Sequence, residues 1–140
     1  MKTTINLVLV FVIVGFTLMS FSLNTDRPTG PDQDRWLAPA SAKNVKNPYS
    51  SKSSINEGKS IYKTRCIVCH GEKGKGDGPA GKALKPPAAD HSAALVQDQT
   101  DGELFWKISE GRGPMVSWKL ILSEEDRWNV VNYLRTLKAK

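Results

Sequence analysis

The sequence predicts an all-α fold of three main helices joined by long loops. Ser54-Ile55-Asn56-Glu57 and Thr100-Asp101-Gly102-Glu103 each read as a capping box and Ser123-Glu124-Glu125-Asp126 as a helix cap, and apolar residues at helical spacing follow every one. Between the first and second helices runs a Gly- and Pro-rich stretch with no strand pattern before it.

A length of 140 residues leaves room for one domain, and 24% charged against 39% hydrophobic residues describes a globular chain for most of its length. The formal charge of +6 is moderate. No basic run is interleaved with aromatics, so composition gives no nucleic-acid signature.

In chain order, Lys2 precedes an apolar stretch from Ile5 to Leu23. Residues 1–23 read either as a signal peptide, with Ser20-Phe21-Ser22 as a small-x-small cleavage site, or as an N-terminal membrane anchor. Either reading exports the rest of the chain. Residues 24–53 follow as an extended linker or arm, rich in Ser, Asn, Asp and Lys and carrying Pro28, Pro31, Pro39 and Pro48. Within it Trp36-Leu37-Ala38-Pro39 is too apolar for a free tether and is expected to lie on the folded domain or on a partner.

The folded domain is expected over 54–140. Its first helix starts at Ser54, with Ile55, Gly58, Ile61, Tyr62 and Arg65 on or beside one face. Gly58 in a helix interior costs about 1 kcal/mol against Ala, so close approach of another helix is expected there. The helix runs into Cys66-Ile67-Val68-Cys69-His70, which holds both cysteines and one of the two histidines.

Cys-x-x-Cys-His is the attachment signature of c-type haem. Residues three apart share a helical face, so both thiols can reach the vinyl groups along one porphyrin edge and form thioethers. The imidazole of His70 then turns under the ring as proximal iron ligand. Three other uses of the motif are weaker. A thioredoxin-type redox pair opens a helix after a strand, whereas this one closes a helical pattern. A structural zinc site wants four ligands, and only His91 is left to add. A short-range disulfide is the third.

Gly71, Gly74, Gly76, Gly78 and Gly81 crowd the next segment. The Gly-Lys-Ser/Thr ending of a phosphate loop is missing, and such density suits a backbone turning tightly beside a flat ligand. Lys85-Pro86-Pro87 is a rigid extended piece, and a carbonyl of Pro86 or Pro87 is expected to accept the free N–H of His70.

The second helix carries Leu104, Phe105 and Ile108 on its apolar face and stops at Gly111. Gly111-Arg112-Gly113-Pro114-Met115 then leaves helix geometry and presents the single thioether of the globular part, making Met115 the distal ligand candidate, with His91 as its competitor. The last helix has a cap and three acids in its first turn, and an apolar stripe through Trp128, Val131 and Leu134.

From Ser54 to Leu137 the chain resembles a small single-haem class I cytochrome c of bacterial respiratory type. The resemblance is carried by Gly58, Tyr62 and Cys66 at four-residue steps, Cys-x-x-Cys-His-Gly, the Gly-x-Gly-Asp-Gly-Pro loop and the Gly-x-Gly-Pro-Met loop. Trp128 and Tyr133-Leu134-Arg135 also fit. It implies the cytochrome c fold around one covalently attached haem, with Cys66 and Cys69 holding the haem and His70 and Met115 ligating iron. It also places Gly58 at the crossing of the first and last helices, near Tyr133. Val116 stands where the family often has Pro. The Trp-x-Ala-Pro arm looks like extensions on membrane-associated relatives.

The function so implied is one-electron transfer between respiratory partners on the periplasmic side of a bacterial inner membrane. His/Met ligation raises the potential and leaves no open coordination position, which argues against an enzyme or a gas sensor. A haem subunit of a larger oxidoreductase is the alternative. Lys59, Lys63, Arg65, Lys73, Lys75, Lys82 and Lys85 against Glu72 and Asp77 make the attachment region basic, which suits acidic redox partner proteins such as an oxidase or reductase.

Overall fold

The computed structural model describes residues 36–139, so the export or anchor segment 1–23 and the first part of the arm lie outside the described residues. The described chain is helical. Helices α1 (Ala40–Lys43), α2 (Lys52–Arg65), α3 (Ile67–His70), α4 (Ala94–Gln97), α5 (Asp101–Glu110) and α6 (Glu124–Arg135) are joined by loops, one of which contains a 3₁₀ turn at Gly81–Ala83. Among the described residues no strand is present, only an isolated bridge between Arg112 and Met115. The predicted all-α class holds.

The frame is the crossing of α2 over α6. A Cβ on Gly58 would sit 1.9 Å from the Asn129 carbonyl oxygen and 3.1 Å from Tyr133 Cβ, so only Gly lets the two backbones meet. Around the crossing, Tyr62, Trp128, Val131 and Asn129 are almost wholly buried. Val130, Leu134, Leu104 and Ile108 complete one apolar cluster. Trp128 stacks on Phe105 of α5 with ring centroids 4.0 Å apart and planes at 11°, and the guanidinium of Arg127 lies 4.7 Å over the same ring.

The three main helix starts are local. Thr100 forms the predicted capping box with Glu103, and the predicted Ser123 cap is a complete box with Asp126. The first start differs. α2 begins at Lys52, and Ser51 is its cap, accepting from the Ser54 amide. Ser54 is instead buried, where its hydroxyl donates to Asn129 Oδ1 at 2.5 Å and accepts from Asn132 Nδ2 at 2.6 Å. Tertiary polar partners outcompete the local box, and Glu57 accepts from Asn129 Nδ2 rather than reaching back to Ser54.

The described part of the arm is packed, not an extended tether. Leu37–Lys140 form one compact unit. Asn47 Nδ2 donates to Asn132 Oδ1 at 2.7 Å, and Asn132 Nδ2 donates to the Tyr49 carbonyl at 2.5 Å. Gly102 of α5 lies against the carbonyls of Ala42 and Val45, and Ala42 is buried. Within the apolar run Trp36-Leu37-Ala38-Pro39, Trp36 and Ala38 are half-buried while Leu37 is 63% exposed.

Candidate functional site

Cys66 closes α2 with its amide on the Tyr62 carbonyl at 2.9 Å, and α3 starts at the next residue. The amides of Cys69 and His70 both reach the Cys66 carbonyl, at 3.2 and 2.9 Å. One helical turn therefore carries both thiols and the imidazole. Both cysteines are free and half-buried. The Cys66 thiol is pushed up to about 12, first by burial and then by the like charge of Cys69. A Cys66 thiol so disfavoured as thiolate is not poised as a redox nucleophile.

The loop after the motif is folded back on it by backbone bonds. The Gly76 amide donates to the His70 carbonyl and the Ala80 amide to the Val68 carbonyl, each at 2.9 Å. Gly81 packs so closely that a Cβ would lie 2.0 Å from the Cys69 carbonyl oxygen. The glycine density thus serves close approach of loop to motif. The Tyr62 hydroxyl donates to the Gly71 carbonyl at 2.9 Å from the side of the core.

His70 Nδ1 lies 3.1 Å from the Ala89 carbonyl oxygen. A carbonyl only accepts, so Nδ1 carries the proton and Nε2 keeps its lone pair for a metal. The partner is Ala89, two residues beyond Pro87, not the carbonyl of Pro86 or Pro87. Burial lowers the His70 pKa, and the Ala89 bond opposes that shift.

His91 sits where no sequence signal placed it. Its ring stacks on that of His70, with centroids 4.0 Å apart and planes at 21°. Two imidazoles on opposite faces of one iron, each at about 2 Å from the metal, hold the porphyrin plane between them. Rings in face-to-face contact do not, and this geometry disfavours His91 as distal ligand. Burial, and then the charge of His70, hold His91 well below the ordinary histidine range.

Met115 comes from the other side of the chain. Gly111 ends α5 at φ 66°, and the Arg112 and Met115 backbones pair at 3.0 and 2.9 Å. Beyond the loop, the Ser117 hydroxyl donates to the Ser109 carbonyl at 2.6 Å and the Trp118 amide to that of Ile108 at 3.2 Å. Met115 is half-buried and packs on the same apolar cluster as Cys66.

These residues fit a c-type haem. Two free thiols one turn apart and an imidazole with its Nδ1 proton already engaged suit the attachment of such a group, and Met115 offers a thioether from the loop packed on the same cluster. Among the described residues no cluster of His, Cys, Asp and Glu suits a metal ion on its own.

Comparison with known proteins agrees. The family described as cytochrome c matches residues 55–138. The chain is 31% identical over 130 residues to a thiosulfate dehydrogenase of Stutzerimonas stutzeri (strain A1501), covering 89% of this chain and 39% of that protein. It therefore spans about two-fifths of that relative. Among solved structures it is similar to the reducing HAO-like protein complex of Kuenenia stuttgartiensis, with a TM-score of 0.58 and 25% identity over 67% of this chain and 48% of that one. The chain belongs to the cytochrome c family, which implies a covalently bound c-type haem.

Proposed function

We propose that this protein is a one-electron carrier with a single low-spin haem, held by thioethers from Cys66 and Cys69 and ligated through His70 and Met115. The observation that carries the reading is the Cys66–His70 turn, with both thiols free and the Nδ1 of His70 directed to Ala89. When bound, the haem supplies a reversible Fe(III)/Fe(II) couple. The chain's own residues do the rest. The Ala89 carbonyl orients the His70 imidazole, and Met115, packed on the α2–α6 core, would be the second iron ligand and keep small molecules off. Without an open position the protein passes electrons and performs no bond chemistry, which is why we read it as a carrier and not an enzyme.

The working place is outside the cytoplasm, on the periplasmic side of a bacterial inner membrane. The support is the apolar segment 1–23, as anchor or signal, and the attachment motif itself. The partners are acidic redox proteins of a respiratory chain. Lys59, Lys63, Arg65, Lys73, Lys82 and Lys85 are exposed around the attachment turn. Lys75 is engaged, donating to Ser92 at 2.5 Å and lying 3.7 Å from Asp90, so it contributes less to that field.

A second reading is supported by the relatives, one a dehydrogenase and one part of a complex, of which this chain covers 39% and 48%. In it the chain is the haem c subunit of a larger membrane oxidoreductase. Intact mass spectrometry of the native protein tests the attachment and the N-terminus together. One haem per chain on Cys66 and Cys69 is expected; an unmodified polypeptide would refute the reading. Copurification of a stable stoichiometric partner would favour the subunit over the free carrier.

A further inference from the structure

We propose that His91 is a positioning residue that fixes the rotation of the His70 imidazole about its bond to iron, and so tunes the centre. The inference rests on the proposed role of His70 as axial ligand. The Ala89 carbonyl holds only one atom of that ring, Nδ1, and a single hydrogen bond leaves the plane free to rock about it. The flat face of His91, at 4.0 Å and 21°, blocks that rocking from one side.

His91 is itself built in. Its amide donates to the Gly74 carbonyl at 2.6 Å, and its carbonyl accepts from Gln97 Nε2 at 2.6 Å. The same Gln97 amide reaches the Leu134 carbonyl of α6 at 2.9 Å, which ties the segment to the core. The Tyr62 ring meets His91 edge-on with centroids 5.9 Å apart, closing another side. Two rings and two backbone bonds hold one side chain in place.

Placing an imidazole there carries a polar penalty. Its Nδ1 is buried and has no hydrogen-bond partner, and a buried polar atom left unpaired costs about 1–3 kcal/mol. An apolar ring of similar shape would avoid that cost. What histidine contributes at this position is its flat face against His70, not a hydrogen bond made by Nδ1.

The test compares three holoproteins: wild type, His91→Phe, which keeps a flat face, and His91→Leu, which does not. The readouts are the g-values of the ferric form, the spread of haem-methyl proton shifts and the reduction potential, with far-ultraviolet circular dichroism as a check on fold. The first two report the azimuth of the axial imidazole, which a purely structural role does not move. We expect His91→Leu to shift both and to change the potential at unchanged helicity, with His91→Phe restoring the wild-type pattern. Wild-type spectra from all three holoproteins would overturn the role of His91 while leaving His70 ligation intact. A wild type without a low-spin His-ligated iron would overturn both. Should His91→Leu fail to take up haem, His91→Met, similar in volume but without a flat face, replaces it: shifted spectra support the role of His91, and wild-type spectra overturn it.

Discussion

The Tyr62 side chain has no exposed surface, yet its hydroxyl finds the Gly71 carbonyl at 2.9 Å. Burial first, and then the nearby Cys66, push its ionisation up, so the phenol stays neutral and donates. Tyr62→Phe keeps the ring and leaves the Gly71 carbonyl with only the Gly74 amide, at 3.2 Å. The expected loss is about 1 kcal/mol, read as a lower midpoint in urea with an unchanged slope; no change would mean that water takes over the bond. At this scale the sequence was legible where chemistry lives in side chains, as at Cys66, Cys69 and His70. It was silent where chemistry lives in the backbone. Any residue has a carbonyl, so nothing marked Ala89 over Pro86 or Pro87, and only folding brings His91 onto His70.

Among the helices, the α2–α6 crossing is the joint on which the site depends, and Gly58 is its contact point. Gly58→Ala gains helix propensity of up to about 1 kcal/mol, but its methyl would meet the Asn129 carbonyl at 1.9 Å. Overpacking of that kind costs about 1–3 kcal/mol, and the clash is with backbone, so a net loss in thermal midpoint is expected. A stabilised variant would show that the helices slide apart freely. The cap of α5 supplies a pH-dependent counterpart. Glu103 accepts the Thr100 amide at 2.8 Å, and that bond holds its carboxyl below the ordinary range. The sign follows: a carboxylate depressed in the fold contributes stability above its unfolded value near about 4.3. That contribution is lost as pH falls through the folded value. Glu103→Gln should therefore flatten the acid side of the stability profile; an identical acid limb would show that the cap carries no pH dependence.

The capping box at Thr100 and the cap at Ser123 were readable because a cap is settled among four neighbouring residues. The box expected at Ser54 was not, because Asn129 and Asn132 on α6 claim its hydroxyl from far along the chain. One of those asparagines, Asn132, also explains why the arm looked like a linker. Asn47 and Tyr49 are polar or isolated in sequence, and their docking depends on a partner that composition does not show.

For the molecule as a whole, a core this small is marginal by itself, so the haem is expected to be part of it. Cys66→Ala combined with Cys69→Ala should leave little stable helix by circular dichroism; native helicity without haem would show the protein core to suffice. Docking is the other whole-molecule property. The lysines around the attachment turn can raise association rates by roughly 10–10³, over a range screened to about 8 Å at physiological salt. Electron transfer to the true partner should slow steeply with ionic strength, and neutralising Lys73, Lys82 and Lys85 together should flatten the slope at nearly constant potential. A rate indifferent to salt would favour a permanently assembled subunit.

The measurement closest to the central claim is carbon monoxide titration of the reduced wild-type holoprotein, beside the same titration of Met115→Ala. With His70 and Met115 both on the iron, the wild type should bind no carbon monoxide and should show, when oxidised, the weak near-infrared sulfur-to-iron band. Met115→Ala should lose that band, fall in potential and bind the gas. Ready binding by the wild type would contradict the carrier and point to a sensor or an enzyme.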